Sequence, residues 1–100
     1  SLLDGIPESV TTADGGTRFV FPRGPFRDAL PVLRRELFVL IWRRHGWPLG
    51  AMDASHWDRL SRLIDATGAI HLPGAAEAEV TNSEFRLTRP VDRDILAPAG

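Results

Sequence analysis

Arginine dominates the chemistry open to this chain. All 12 basic side chains are Arg, and nine of them lie between residues 18 and 62 against four acids. Residues 1–17 carry three acids and no base, so the formal charge of −1 conceals a basic middle. A guanidinium stays charged and grips phosphate through paired N–H donors, which points to a polyanionic partner. Coding bias also produces Arg without Lys, so only the fold decides whether these side chains share a surface. The other reactive types are sparse. With no cysteine there are no disulfides, thiolate nucleophiles or Cys-containing zinc sites. His45, His56 and His71 show no His-x-x-x-His spacing, and a zinc site would need them to converge with a carboxylate such as Asp53. They read instead as a helix-end cation, a first-turn polar residue and a strand residue. Ser55 and His56 are neighbours on a helix and resemble no nucleophile elbow, and Gly15-Gly16 lacks the lysine and preceding strand of a phosphate loop.

The elements that must position these residues are legible from periodicity and turn chemistry. One hundred residues allow one domain with one modest core. Residues 1–16, with Gly5, Pro7 and an Asp14-Gly15-Gly16 turn signal, read as a linker or disordered segment. Thr17–Phe21 is short, aromatic and β-branched, which predicts a strand, and the PRGPF that follows is a rigid turn region. A first helix is expected from a cap at Asp28, with Pro31 tolerated in its first turn. At about 100° per residue, Leu30, Leu33, Leu37, Phe38, Leu40 and Ile41 share one broad face, while Val32, Val39 and Trp42 fall elsewhere. That helix should be covered on more than one side and should stop at Arg43-Arg44-His45-Gly46.

Asp53 should cap a second helix, with Met52 and Trp57 placed as a hydrophobic staple and Trp57, Leu60, Leu63 and Ile64 on its buried face. Thr67-Gly68 should end it. Beyond lie a strand at 69–72, a Pro73-Gly74 type II turn, and alternation through Ala76, Ala78 and Val80, then Phe85 and Leu87. A four-residue loop at 81–84 would set Val80 opposite Phe85, Ala78 opposite Leu87 and Glu79 opposite Arg86. The expected class is α+β: a small domain of two core helices on a β-hairpin or three-stranded antiparallel ribbon, to which a short N-terminal strand can add. Residues 90–100 read as a flexible tail.

Arg34 falls in the apolar sector of the first helix, beside Leu37, Phe38 and Ile41, whereas Arg35 turns toward solvent. A buried guanidinium needs a partner, so a structural ion pair or snorkelling is favoured over substrate contact. The three tryptophans read as core rather than as base-stacking platforms.

The run ALPVLRRELFVLIWRRHGWP, then MDASHWDRLSRLI, then ATGAIHLPG and FRLTR, resembles the region after the catalytic domain in tRNA(Ile)-lysidine synthetases. The matching positions are Leu33, Arg34, Arg35, Leu37, Gly46, Leu60, Leu63, Leu72, Pro73 and Gly74, within about residues 27–89. The resemblance implies that residues 17–89 are a non-catalytic substrate-binding domain of an ATP-dependent ligase that attaches lysine to the wobble cytidine of an isoleucine tRNA. It implies a catalytic domain of the same polypeptide as partner, and tRNA contacts are expected on the helices and their basic ends, at Arg34, Arg35, Arg43, Arg44, Arg59 and Arg62. No cofactor is expected on this chain, and ATP and magnesium are expected on the catalytic domain, whose Ser-Gly-Gly-x-Asp-Ser loop is absent here. Glu77, Glu79 and Glu84 depart from the basic strands common in the family and move the expected RNA contact to the helices.

Two other classes fit the same elements. A free-standing winged-helix-like module would bind DNA or protein through the second helix, where only Arg59 and Arg62 are available. A structural or dimerising domain would account for the all-round apolar first helix. The opening Ser-Leu-Leu-Asp-Gly-Ile-Pro lacks the pattern of a secretory signal, so a cytoplasmic setting is expected, and Ser rather than Met at position 1 suggests an excised piece of a longer protein.

Overall fold

A computed structural model describes residues 2–13 and 15–90. Five antiparallel strands make one sheet: β1 (Ser9–Ala13), β2 (Gly16–Pro22), β3 (Gly68–Leu72), β4 (Ala76–Val80) and β5 (Glu84–Pro90), in spatial order β1-β2-β5-β4-β3. Between β2 and β3 run α1 (Gly24–Asp28), α2 (Pro31–Arg44) and α3 (Ala54–Asp65), with 3-10 turns at Leu2–Gly5 and Leu49–Ala51. This is the expected α+β class, enlarged by one strand. None of the helices among the described residues is long and apolar enough to cross a membrane.

The β4–β5 hairpin keeps the register its alternation predicts: Val80 faces Phe85, Ala78 faces Leu87 and Glu79 faces Arg86. Its loop closes on itself, with the Thr81 N–H donating to the Glu84 carbonyl at 2.9 Å and the Glu84 N–H to Thr81 Oγ1 at 3.1 Å. Ala76, Ala78 and Val80 are buried toward the helices, while Glu77 and Glu79 look the other way. The strand at 17–21 lies inside the sheet, pairing with β5 from Gly16↔Pro90 to Pro22↔Glu84. Its Phe21, with Phe26, Phe38 and Phe85, forms a four-ring cluster at centroid distances of 5.0 to 5.9 Å. Edge-on and offset ring contacts of this kind add to the stabilisation from burial itself.

Three expectations are corrected. Residues 1–16 are neither linker nor disordered where the structure describes them: Leu3 and Ile6 enter the core and β1 pairs with β2 from Ser9↔Val20 to Ala13↔Gly16. β1 escaped notice because it is an edge strand whose Val10 stays 58% exposed, so no apolar alternation marks it. Pro90 belongs to β5 rather than to a tail, while residues 91–100, the rest of that expected tail, lie outside the described residues. The first core helix starts at Pro31, not at an Asp28 cap. Leu30 is extended at φ −59°, ψ 149°, because the following proline ring crowds it out of the helical region, and Asp28 ends the separate short α1.

The other helix ends follow their chemistry. Gly46 takes φ 68°, and the Trp47 and Gly46 N–H groups donate to Trp42 and Arg43 carbonyls, closing α2 with a Schellman turn. Asp53 caps α3, and His56 completes a reciprocal capping box in the place where Glu or Gln is usual. Hydrogen bonds from the Ser55 hydroxyl and the His56 N–H hold the exposed Asp53 carboxyl below its ordinary value. The β3–β4 turn carries two residues at positive φ, Gly74 at 81° and Ala75 at 59°. An L side chain is strained there, so Ala75→Gly should raise unfolding stability by about 1 kcal/mol in urea titrations; unchanged or lowered stability would refute this.

Candidate functional site

The two arginines that follow Leu33 part company. Arg34 is 4% exposed and spends every donor of its guanidinium. Nε donates to the Phe26 carbonyl at 2.9 Å; one terminal nitrogen donates to the Ser61 carbonyl, Ser61 Oγ and Asp65, the other to the Arg27 carbonyl and Asp65. The Asp65 contacts, 2.9 and 3.0 Å, form a bidentate pair. Arg34 thereby ties α1, α2 and α3 together, and the expectation of tRNA contact at this residue is corrected: no donor remains for a ligand.

Arg23, in the turn after β2, is a second buried arginine, 5% exposed. Its Nε and a terminal nitrogen donate to the Ile64 and Ala66 carbonyls at 2.9 and 2.6 Å. Such carbonyls at a helix end have no partner within the helix, and a cation there opposes the negative pole of the helix dipole. The sequence offers no signal for this, because Arg23 lies in a Pro-Arg-Gly-Pro turn without periodicity. The hydrogen bonds from Arg34 pull the Asp65 carboxyl below its ordinary value, with further attraction from Arg27 and Arg23.

The remaining candidates are exposed on the helical layer but do not form one cluster. Arg35 overlooks a groove of about 430 Å³ between the start of α2 and the outer side of α3, lined also by Ser55, Trp57, Asp58 and Ser61. Arg59 and Arg62 come together with Leu63, Ala66 and Ile70 around a shallow depression of about 240 Å³, although Arg62 is 2.8 Å from Asp58. Arg43 and Arg44 stand at the end of α2, with Arg44 3.8 Å from Asp4.

The open face of the sheet has a different character. Arg86 is held between Glu84 and Glu79 at 2.7 and 3.0 Å, which raises its pKa, and Arg18 donates to Thr88 Oγ1. Its Glu77 and Glu79 look away from the helices that carry the exposed arginines. The charged side of the β4–β5 ribbon therefore faces solvent while its apolar side closes the core.

The histidines are dispersed. His45 meets Glu8 at 3.0 Å, His56 serves the capping box, and the exposed His71 lies 4.0 Å from Glu77. Among the described residues no three His, Asp or Glu side chains converge as a metal site. Trp42 and Trp57 are buried and pack edge-on, 5.2 Å between ring centroids. Trp47 is half-buried beneath Arg89, whose guanidinium carbon is 5.1 Å from the ring centre and whose pKa burial lowers. A guanidinium on an indole face gains cation–π attraction while keeping its in-plane donors, and Arg89 was not among the expected contacts. No family model, curated protein or solved structure matches this chain.

Proposed function

We propose that this chain is a tRNA-positioning domain of an ATP-dependent ligase that attaches lysine to the wobble cytidine of an isoleucine tRNA. The observation that carries the reading is the exposure of Arg35, Arg43, Arg44, Arg59 and Arg62 on the helical layer, while Glu77 and Glu79 point away from it. Phosphate contacts of this type orient an RNA without reading its sequence, which suits a domain that presents a substrate to chemistry performed elsewhere. The adenylation step, with its ATP and magnesium, would belong to a catalytic domain of the same polypeptide, in the cytoplasm. Of the adjacent pair Arg34-Arg35, Arg34 would secure the helices and Arg35 would face the RNA.

Binding of unmodified isoleucine tRNA should be weak and salt-sensitive. Replacing Arg35, Arg43, Arg59 and Arg62 together by Gln should flatten the dependence of log K on log salt by about one unit per lost phosphate contact. A fluorescence titration at low ionic strength measures this, with duplex DNA as comparison. No interaction with either nucleic acid would reject the reading, and equal affinity for both would favour a general polyanion-binding module.

A further inference from the structure

The outward face of α2 is only partly covered by the rest of the described chain. Val32 is 74% and Leu33 42% exposed, and Val39 and Leu40 are only partly buried. Glu36 and Arg43 are exposed on the same face and form no ion pair among the described residues. They stand two helical turns apart, about 10 Å along the axis, which is too far for them to meet each other. Val39 and Leu40 lie midway between them. Opposite charges at equal distances from an apolar centre are self-complementary: a second helix laid antiparallel on the first brings each charge onto its opposite.

We propose that this face of α2 pairs with the same face of a second copy of the chain, about a twofold axis passing between Val39 and Leu40. The arrangement sets Glu36 of one protomer against Arg43 of the other, twice, and closes Val39 and Leu40 over each other. An isologous contact needs one patch to match itself, and this spacing does so. The two ion pairs set the antiparallel register while the apolar centre supplies the attraction, and Val32 and Leu33 extend the contact toward the α2–α3 connection of the partner. A phosphate backbone fits this ridge poorly, because Glu36 and four aliphatic side chains occupy it. The proposal stands apart from the tRNA reading; the one residue in common is Arg43, which in the paired form is taken up by Glu36 and leaves Arg35, Arg44, Arg59 and Arg62 to the RNA.

Sedimentation velocity over a concentration series of the whole chain tests the idea. The parent chain should self-associate. Glu36→Arg and Arg43→Glu should each weaken association by about tenfold, because each replaces two attractive pairs by two repulsive ones. Combining the two substitutions regenerates the pairs with reversed polarity and should restore affinity. A chain that stays monomeric throughout, or a double variant as weak as the single ones, overturns the proposal. Cross-linking gives a second readout that does not depend on the charge variants folding well. The chain has no cysteine, so Val39→Cys should oxidise to a covalent dimer while Arg59→Cys, on α3, should not. Absence of the Val39→Cys dimer, or equal yields from both variants, also overturns it.

Discussion

Arg34→Ala should lower the unfolding free energy by about 3–5 kcal/mol, the usual loss when one partner of a buried charged network is removed. A domain of this size has only about 5–15 kcal/mol in total, so the variant should be marginally folded. The mechanism is specific. Truncation strands the Phe26, Arg27 and Ser61 carbonyls and leaves the Asp65 carboxylate without its fork, and a methyl group replaces none of those contacts. Arg34→Lys should recover little, because one ammonium cannot reach acceptors on two other helices with the planar geometry of a guanidinium. Chemical denaturation measures both variants. Unchanged stability combined with lost tRNA affinity would show that Arg34 acts on the ligand and not on the fold.

The same network makes stability depend on acidity. The Asp65 carboxyl titrates below its unfolded value, chiefly because Arg34 hydrogen-bonds its ionised form. Below the unfolded pKa, near 4, the unfolded chain takes up the proton first, and stability falls. The contribution is therefore complete above that pH and disappears as pH falls through the lowered folded value. Its size is modest, since the Asp65 side chain is 62% exposed and solvent screens the pair. Asp65→Asn should accordingly cost far less than Arg34→Ala and flatten the acid limb of the stability profile.

Phe85→Ala should cost about 4 kcal/mol by removing the ring at the centre of the aromatic cluster. Phe85 is fully buried, and its centroid lies 5.0 Å from Phe26, 5.7 Å from Phe38 and 5.8 Å from Phe21. Those neighbours come from α1, α2 and β2, so the resulting cavity cannot close by shifting one side chain. Phe85→Leu retains most of the volume and should cost much less. If the two substitutions proved equally costly in denaturant titrations, loss of ring–ring geometry and not cavity formation would dominate.

These results separate what neighbouring residues determine from what only the assembled chain decides. The β4–β5 register was readable because alternation and a four-residue loop admit one pairing with every apolar side chain on one face. The Asp53 cap and the Gly46 stop were readable because caps act over three or four residues. The expected start at Asp28 failed at Leu30-Pro31, where proline restricts the residue before it and so separates α1 from α2. Periodicity placed Arg34 among apolar neighbours, but its partners lie on two other helices, and the choice of Asp65 is a long-range event.

The sequence by itself determined the two core helices, the hairpin, the turn glycines and an inward position for Arg34, all consequences of backbone sterics and repeat period over a few residues, whereas the short α1 formed where a turn was expected. Only tertiary structure decided that β1 joins the sheet, that Arg23 closes the end of α3, and that the exposed arginines divide among separate parts of the helical layer. Those outcomes depend on which elements meet, and burial and hydrogen-bond satisfaction between segments distant in the chain leave no local periodic trace.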